Sequence, residues 1–165
     1  MMLSLVVLML VTLGSAQVAL DEPATASAYS TAPGFPLGEA AILKALPDHF
    51  ALLSSSTGRR VYEGEPNQQA IAFTGSREHP HRVDLYLTWP DDNDSLLMRN
   101  VRVMMAATQL LAPDLPGGPN WVAQQLKASD QAQGKHSSKD TPTRTVEVWT
   151  DAETGFGRIR ITAHE

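Results

Sequence analysis

RVDLYLTW, residues 82–89, is the stretch on which the fold turns. Val83, Leu85, Leu87 and Trp89 alternate strictly with Arg82, Asp84, Tyr86 and Thr88. Successive side chains of an extended chain point to opposite faces, so this pattern predicts a strand with one buried and one solvated face. A sheet that is wet on one side is characteristically antiparallel, because parallel sheets are covered on both.

The same pattern returns at the C-terminal end, in RTVEVWTDAETGFGRIRITAHE, residues 144–165. Val146 and Val148 alternate with Glu147 and Trp149, and Ile159 and Ile161 alternate with Arg158 and Arg160. DAETG supplies a turn, with Gly155 free to take a positive φ, so the segment predicts a hairpin. Pairing Thr150 with Gly155 sets Val146 opposite Ile159 on the apolar side. It also sets Glu147 opposite Arg158 and Trp149 opposite Phe156 on the wet side, and each such pair is favourable.

RRVYEG (59–64) and QAIAFTG (69–75) predict two shorter strands ahead of the central one. Helical spacing governs the rest of the apolar residues. LGEAAILKALPDHFALL (37–53) predicts a helix of two turns interrupted at Pro47, with a further turn or kink after it. In SLLMRNVRVMMAATQLLA (95–112), Leu97, Val101, Met104, Met105, Thr108 and Leu111 form the expected apolar stripe. PDLPGGPN breaks that helix, and WVAQQLKAS follows as a shorter one with Trp121, Val122 and Leu126 inward. DQAQGKHSSKDTPT, residues 130–143, shows no period and predicts a mobile surface loop. Together these elements predict an α+β domain. Its antiparallel sheet has about five strands, in the order α-β-β-β-α-α-β-β, and helices cover one face.

The 165 residues suffice for one domain, and an apolar share of 42% with 19% charged residues is that of a folded chain. The formal net charge of −5, with no basic cluster, argues against nucleic acid as a partner. Leu3 to Leu13 form an apolar block with small residues after it, which predicts a signal peptide over residues 1–16, cleaved after Ala16. Residues 17–36, rich in Ala, Ser, Thr and Pro, predict a flexible leader before a single domain at 37–165. The expected product is exported, periplasmic or extracellular, with no stable membrane insertion once the signal is removed. The alternative is a membrane-tethered domain that keeps its N-terminal segment. The chain has no cysteine, which excludes disulfides, thiolate metal sites, cysteine nucleophiles and a lipidated cysteine.

Candidate chemistry is sparse. In WPDDNDS (89–95) neither Asp91 nor Asp92 starts a frame with calcium-loop spacing, so the acids are read as a helix start with Asp94 or Ser95 as the N-cap. His79 and His81, two apart at a strand entrance, are a candidate pair of metal ligands, and a metal-binding protein or metal-dependent enzyme is an alternative function. No nucleophile sits in a G-x-S-x-G turn and no phosphate-binding loop is present, so no catalytic residue and no cofactor is expected. The wet sheet face carries Arg82, Tyr86, Glu147, Trp149, Arg158 and Arg160, of which Tyr, Trp and Arg are the types enriched at interface hot spots. The expectation is an exported, non-catalytic protein-binding or accessory domain that uses this face.

Overall fold

The computed structural model describes residues 34–64, 69–88, 93–131, 134–151 and 156–164. A short helix, α1 (Glu39–Ala45), leads into β1 (Phe50–Ser56), β2 (Arg59–Gly64), β3 (Gln69–Gly75) and β4 (Pro80–Thr88). Two helices follow, α2 (Asp94–Leu111) and α3 (Gly118–Gln131), and then β5 (Ser137–Asp140), β6 (Arg144–Thr150) and β7 (Phe156–Ala163). The strands form one sheet in the order β1-β2-β3-β4-β7-β6-β5, and every neighbouring pair is antiparallel. The signal segment at 1–16, leader residues 17–33 and the acids Asp91 and Asp92 lie outside the described residues.

The α+β class, the antiparallel sheet and the helical cover match the sequence pattern; the expected count of about five strands in the order α-β-β-β-α-α-β-β does not. The observed order is α-β-β-β-β-α-α-β-β-β, with seven strands. Both extra strands are edges. In β1 only Phe50 is buried, and the six residues after it are exposed. Its extended form comes from pairing with β2, and no alternation of its own announces it. Helical spacing therefore carried over wrongly past Pro47, where α1 has already ended. β5 lies inside the stretch taken for a mobile loop, and its four polar residues are held by β6.

Alternation in the central strands works as expected. Val83, Leu85 and Leu87 face inward beside Ile159 and Ile161, all essentially without exposure. α2 and α3 pack on each other and roof this face, α2 over β4 and α3 over β6 and β7. Gly157 marks the closest approach: a Cβ there would lie 3.0 Å from Leu126 of α3. Packing also reaches Phe35, two residues before Leu37. It is buried, donates its N–H to the Pro80 carbonyl at 2.8 Å and carries the Arg144 guanidinium over its ring.

The face α2 turns inward is rotated from the expected stripe. Leu96, Asn100, Val103, Met104, Ala107, Thr108 and Leu111 are buried, whereas Leu97 and Val101 are half-buried and Met98 and Met105 are exposed. Asn100 explains the rotation. Its amide donates to the Thr88 carbonyl at 2.6 Å, which holds a polar residue on the buried line. The N-cap is Asn93, whose side chain accepts the Leu96 N–H at 3.0 Å, so Asp94 is the first helical residue rather than the cap. The hairpin register is also displaced by two residues: Val146 faces Ile161, Glu147 faces Arg160, and Trp149 faces Arg158. A two-residue shift keeps every side chain on its face, so alternation alone cannot detect it.

α1 is tied to the sheet by a buried polar group. Glu39 accepts from Arg60 Nε at 2.5 Å and from the Tyr62 hydroxyl, while Arg60 also donates to the Gly75 carbonyl at 2.9 Å. Burial, and then the bond to and charge of Glu39, push the Tyr62 phenol above its ordinary pKa of 10.0.

Two outcomes follow from this packing. Leu85→Ala removes a side chain with no room to collapse, and should cost about 2–5 kcal/mol in urea denaturation; Met105→Ala should stay within about 0.5 kcal/mol. A folded-state tyrosine pKa above the unfolded value means the native state holds the proton longer. The contribution of Tyr62 should therefore be intact below pH 10 and fall away as pH rises through its raised pKa. Urea midpoints measured up the alkaline range should decline less in Tyr62→Phe than in the wild type.

Candidate functional site

The outer face of the sheet, opposite the helices, collects the polar half of each alternating strand. Strand order decides which of these residues meet. Because β7 inserts between β4 and β6, Tyr86 lies beside Arg158 and Arg158 beside Trp149 in one row. In the next row Asp84 lies beside Arg160 and Arg160 beside Glu147. Arg82 lies one row further, opposite Thr162. All six residues marked out by the sequence, Arg82, Tyr86, Glu147, Trp149, Arg158 and Arg160, thus share one continuous surface.

Asp84 organises it, although the sequence pattern places it on the wet face without counting it among the site residues. Its carboxylate is 1% exposed and sits under three guanidiniums. Arg160 Nε donates to Oδ1 at 2.8 Å and Arg158 Nη2 to the same oxygen at 3.1 Å. Arg82 Nε lies 3.3 Å from Oδ2, close enough for an ion pair but without hydrogen-bond alignment. Burial opposes the Arg160 charge, yet the bond to Asp84, its charge and that of Glu147 outweigh it and raise the Arg160 pKa. Glu147 completes the row, 3.8 Å from Arg160 and 3.3 Å from His136.

Aromatic rings fix the same guanidiniums from the side. Arg158 lies 4.8 Å from the Tyr86 ring centre and 4.8 Å from that of Trp149; Arg160 lies 5.4 Å from Trp149. His136 stacks on Trp149 at 5.0 Å, tilted by 47°. Arg59 reaches the Tyr86 hydroxyl at 3.4 Å, and Arg82 donates to Thr74 at 3.2 Å. Such cation–π contacts contribute about 0.5–1 kcal/mol each where partly exposed. The result is a set of arginines held from several sides, with the side chains of Arg82, Arg158 and Arg160 26–34% exposed. His136, Arg59 and Asp84 are the members that sequence reasoning missed. Only Asp84 had a signal, its place on the wet side of RVDLYLTW.

The other candidates are elsewhere. His79 is exposed with Nδ1 3.3 Å from the Phe35 carbonyl. His81 is half-buried against Gly75, and burial, helped by the Arg82 charge, lowers its imidazole pKa. Among the described residues, no group of three or more His, Asp or Glu is placed to hold a metal ion. Thr145 lies between Asp140 and His164, at 2.6 and 2.8 Å. Its single hydroxyl proton is directed to Asp140, so the histidine nitrogen acts as donor to Thr145, the reverse of a base that activates a nucleophile. Among the described residues no helix is long and apolar enough to cross a membrane.

Comparison with protein-family models, with curated proteins and with solved structures found no match for this chain. Chemistry and geometry alone therefore describe the site.

Replacing Asp84 by Asn keeps the shape but leaves three neighbouring guanidiniums without their shared carboxylate. The arginines are 26–34% exposed, so solvent screens much of the repulsion. Asp84→Asn should cost about 1–3 kcal/mol in urea denaturation, and added salt should recover part of the loss.

Proposed function

We propose that this chain is an exported, non-catalytic binding domain that recognises another protein through the outer face of its sheet. One observation carries the proposal: Arg158 is held between Tyr86 and Trp149 and tied to Asp84. A guanidinium whose orientation is already settled loses little freedom when a partner arrives, which is how preorganised side chains contribute affinity. Tyr, Trp and Arg are also the residues that most often dominate interface energies.

Charge narrows the kind of partner. Three guanidiniums and one carboxylate, Glu147, reach solvent on this surface while Asp84 is buried, so the balance favours a partner with partial or full negative charge. The chain as a whole is acidic at −5, which repels an extended polyanion such as nucleic acid. A protein surface bearing one or a few carboxylates meets both conditions, because Arg pairs with carboxylate through two parallel hydrogen bonds. Export rests on the apolar block from Leu3 to Leu13 and the small residues after it. The mass of the mature protein distinguishes cleavage after Ala16 from retention as a membrane tether.

The recombinant domain, immobilised and exposed to extracts of its source, should retain a stoichiometric partner. Trp149→Ala and Arg158→Ala should each weaken that retention at least tenfold, about 1.4 kcal/mol, with far-UV circular dichroism unchanged. Retention that is indifferent to both substitutions would show the outer face to be only a surface.

A further inference from the structure

The two edges of the sheet are built differently. β5 closes one end with four residues, among them Lys139 and Asp140, and a short, charged edge strand resists pairing with another chain. β1 closes the other end with the seven residues FALLSSS. It has no ionisable side chain and no proline, and six of its seven residues are exposed. Among the described residues no strand lies beside the outer side of β1, and its main-chain groups have no other backbone partner. Four large hydrophobic residues are exposed among those described, and two of them are Leu52 and Leu53, at 52% and 43%.

The position of these leucines indicates what covers the edge. When a strand pairs antiparallel with a second copy of itself across a two-fold axis, its longest register is centred on its own middle residue. The middle of Phe50–Ser56 is Leu53. In that register Leu53 meets Leu53 of the other copy, Leu52 meets Ser54, and the exposed apolar residues of both copies gather at the axis. Like charges directly opposite one another destabilise paired strands, and self-pairing brings residues near the axis against their own kind. β1 carries no charge to be repelled and none to attract a charged partner strand. A bulge between Leu52 and Ser54 leaves Leu53 without an opposite on β2 and adds twist, but not the charge that guards the β5 edge.

We infer that two copies of this chain pair through β1, antiparallel and centred on Leu53, to make one sheet continuous across both. The axis of such a pair stands normal to the sheet at the seam, so the two β1 strands there turn the same side outward.

The absence of cysteine makes the test clean, because one introduced thiol has only its own copy to react with. Residues opposed across an antiparallel pair have Cα atoms about 4.5–5.5 Å apart, within the span of about 4.4–6.8 Å that a disulfide bridges. In the full-length chain, Leu53→Cys should form a covalent dimer under mild oxidation, while Ser138→Cys on the β5 edge should not. Sedimentation equilibrium of the wild type should give twice the protomer mass at high concentration. Leu53→Lys should halve that mass and, in solutions dilute enough for the wild type to be monomeric, leave the urea midpoint unchanged, since the side chain is exposed. A wild type that keeps the protomer mass at every concentration would overturn the inference. So would a dimer that persists in Leu53→Lys and cross-links no better through residue 53 than through residue 138.

Discussion

Where β4 lies against β7, Leu85 faces Ile159 on one side of the sheet and Asp84 faces Arg160 on the other. One strand pairing therefore serves both layers of the molecule. On the inner side it joins the side chains that α2 and α3 must cover, because an amphiphilic sheet cannot leave its apolar face in water. Full burial of each such residue contributes about 1.5–3 kcal/mol. On the outer side the same pairing brings a carboxylate from one strand under guanidiniums from its neighbour. Neither layer could shift register by one residue without turning the other inside out.

The outer layer is unusual in being polar and yet partly dry. A carboxylate without exposure is tolerable only where charges and donors surround it; Arg158 and Arg160 donate hydrogen bonds to it and Arg82 adds an ion pair. The three cations repel one another and are held together by that shared anion, by Glu147 and by the π faces of Tyr86 and Trp149. Held from several sides, the three arginines keep side chains that are 26–34% exposed. The buried group on the opposite side, Glu39 with Arg60 and Tyr62, uses similar chemistry for a different end. It is enclosed, and it fixes a two-turn helix that has few contacts of its own.

Much of the candidate site was legible in the chain because period-two alternation reports directly on faces. Arg82 and Tyr86 had to lie with Asp84 on the wet side of β4, and Arg158 and Arg160 on the wet side of β7. Alternation reports nothing about which strand lies beside which, and the adjacency of β4 and β7, separated by two helices and two strands, is a tertiary matter. Nor does it report on edges, where one face is never fully covered, so β1 and β5 left no pattern to recognise. The stripe on α2 went wrong for a related reason. Asn100 looks like a solvent residue, and only the carbonyl of Thr88 at the end of β4 gives it a reason to be buried.

By itself, the sequence determined the fold class, the inward residues of the central strands and the polar residues available on the other side, because those depend on local periodicity and on the aversion of apolar groups to water. Tertiary structure alone decided the strand order, the two edges, the displaced hairpin register and the place of Asp84 beneath three arginines. Each of these depends on which distant segments share hydrogen bonds. That choice is settled by the free energy of the whole assembled sheet and its helical cover, and no single stretch of the chain contains it.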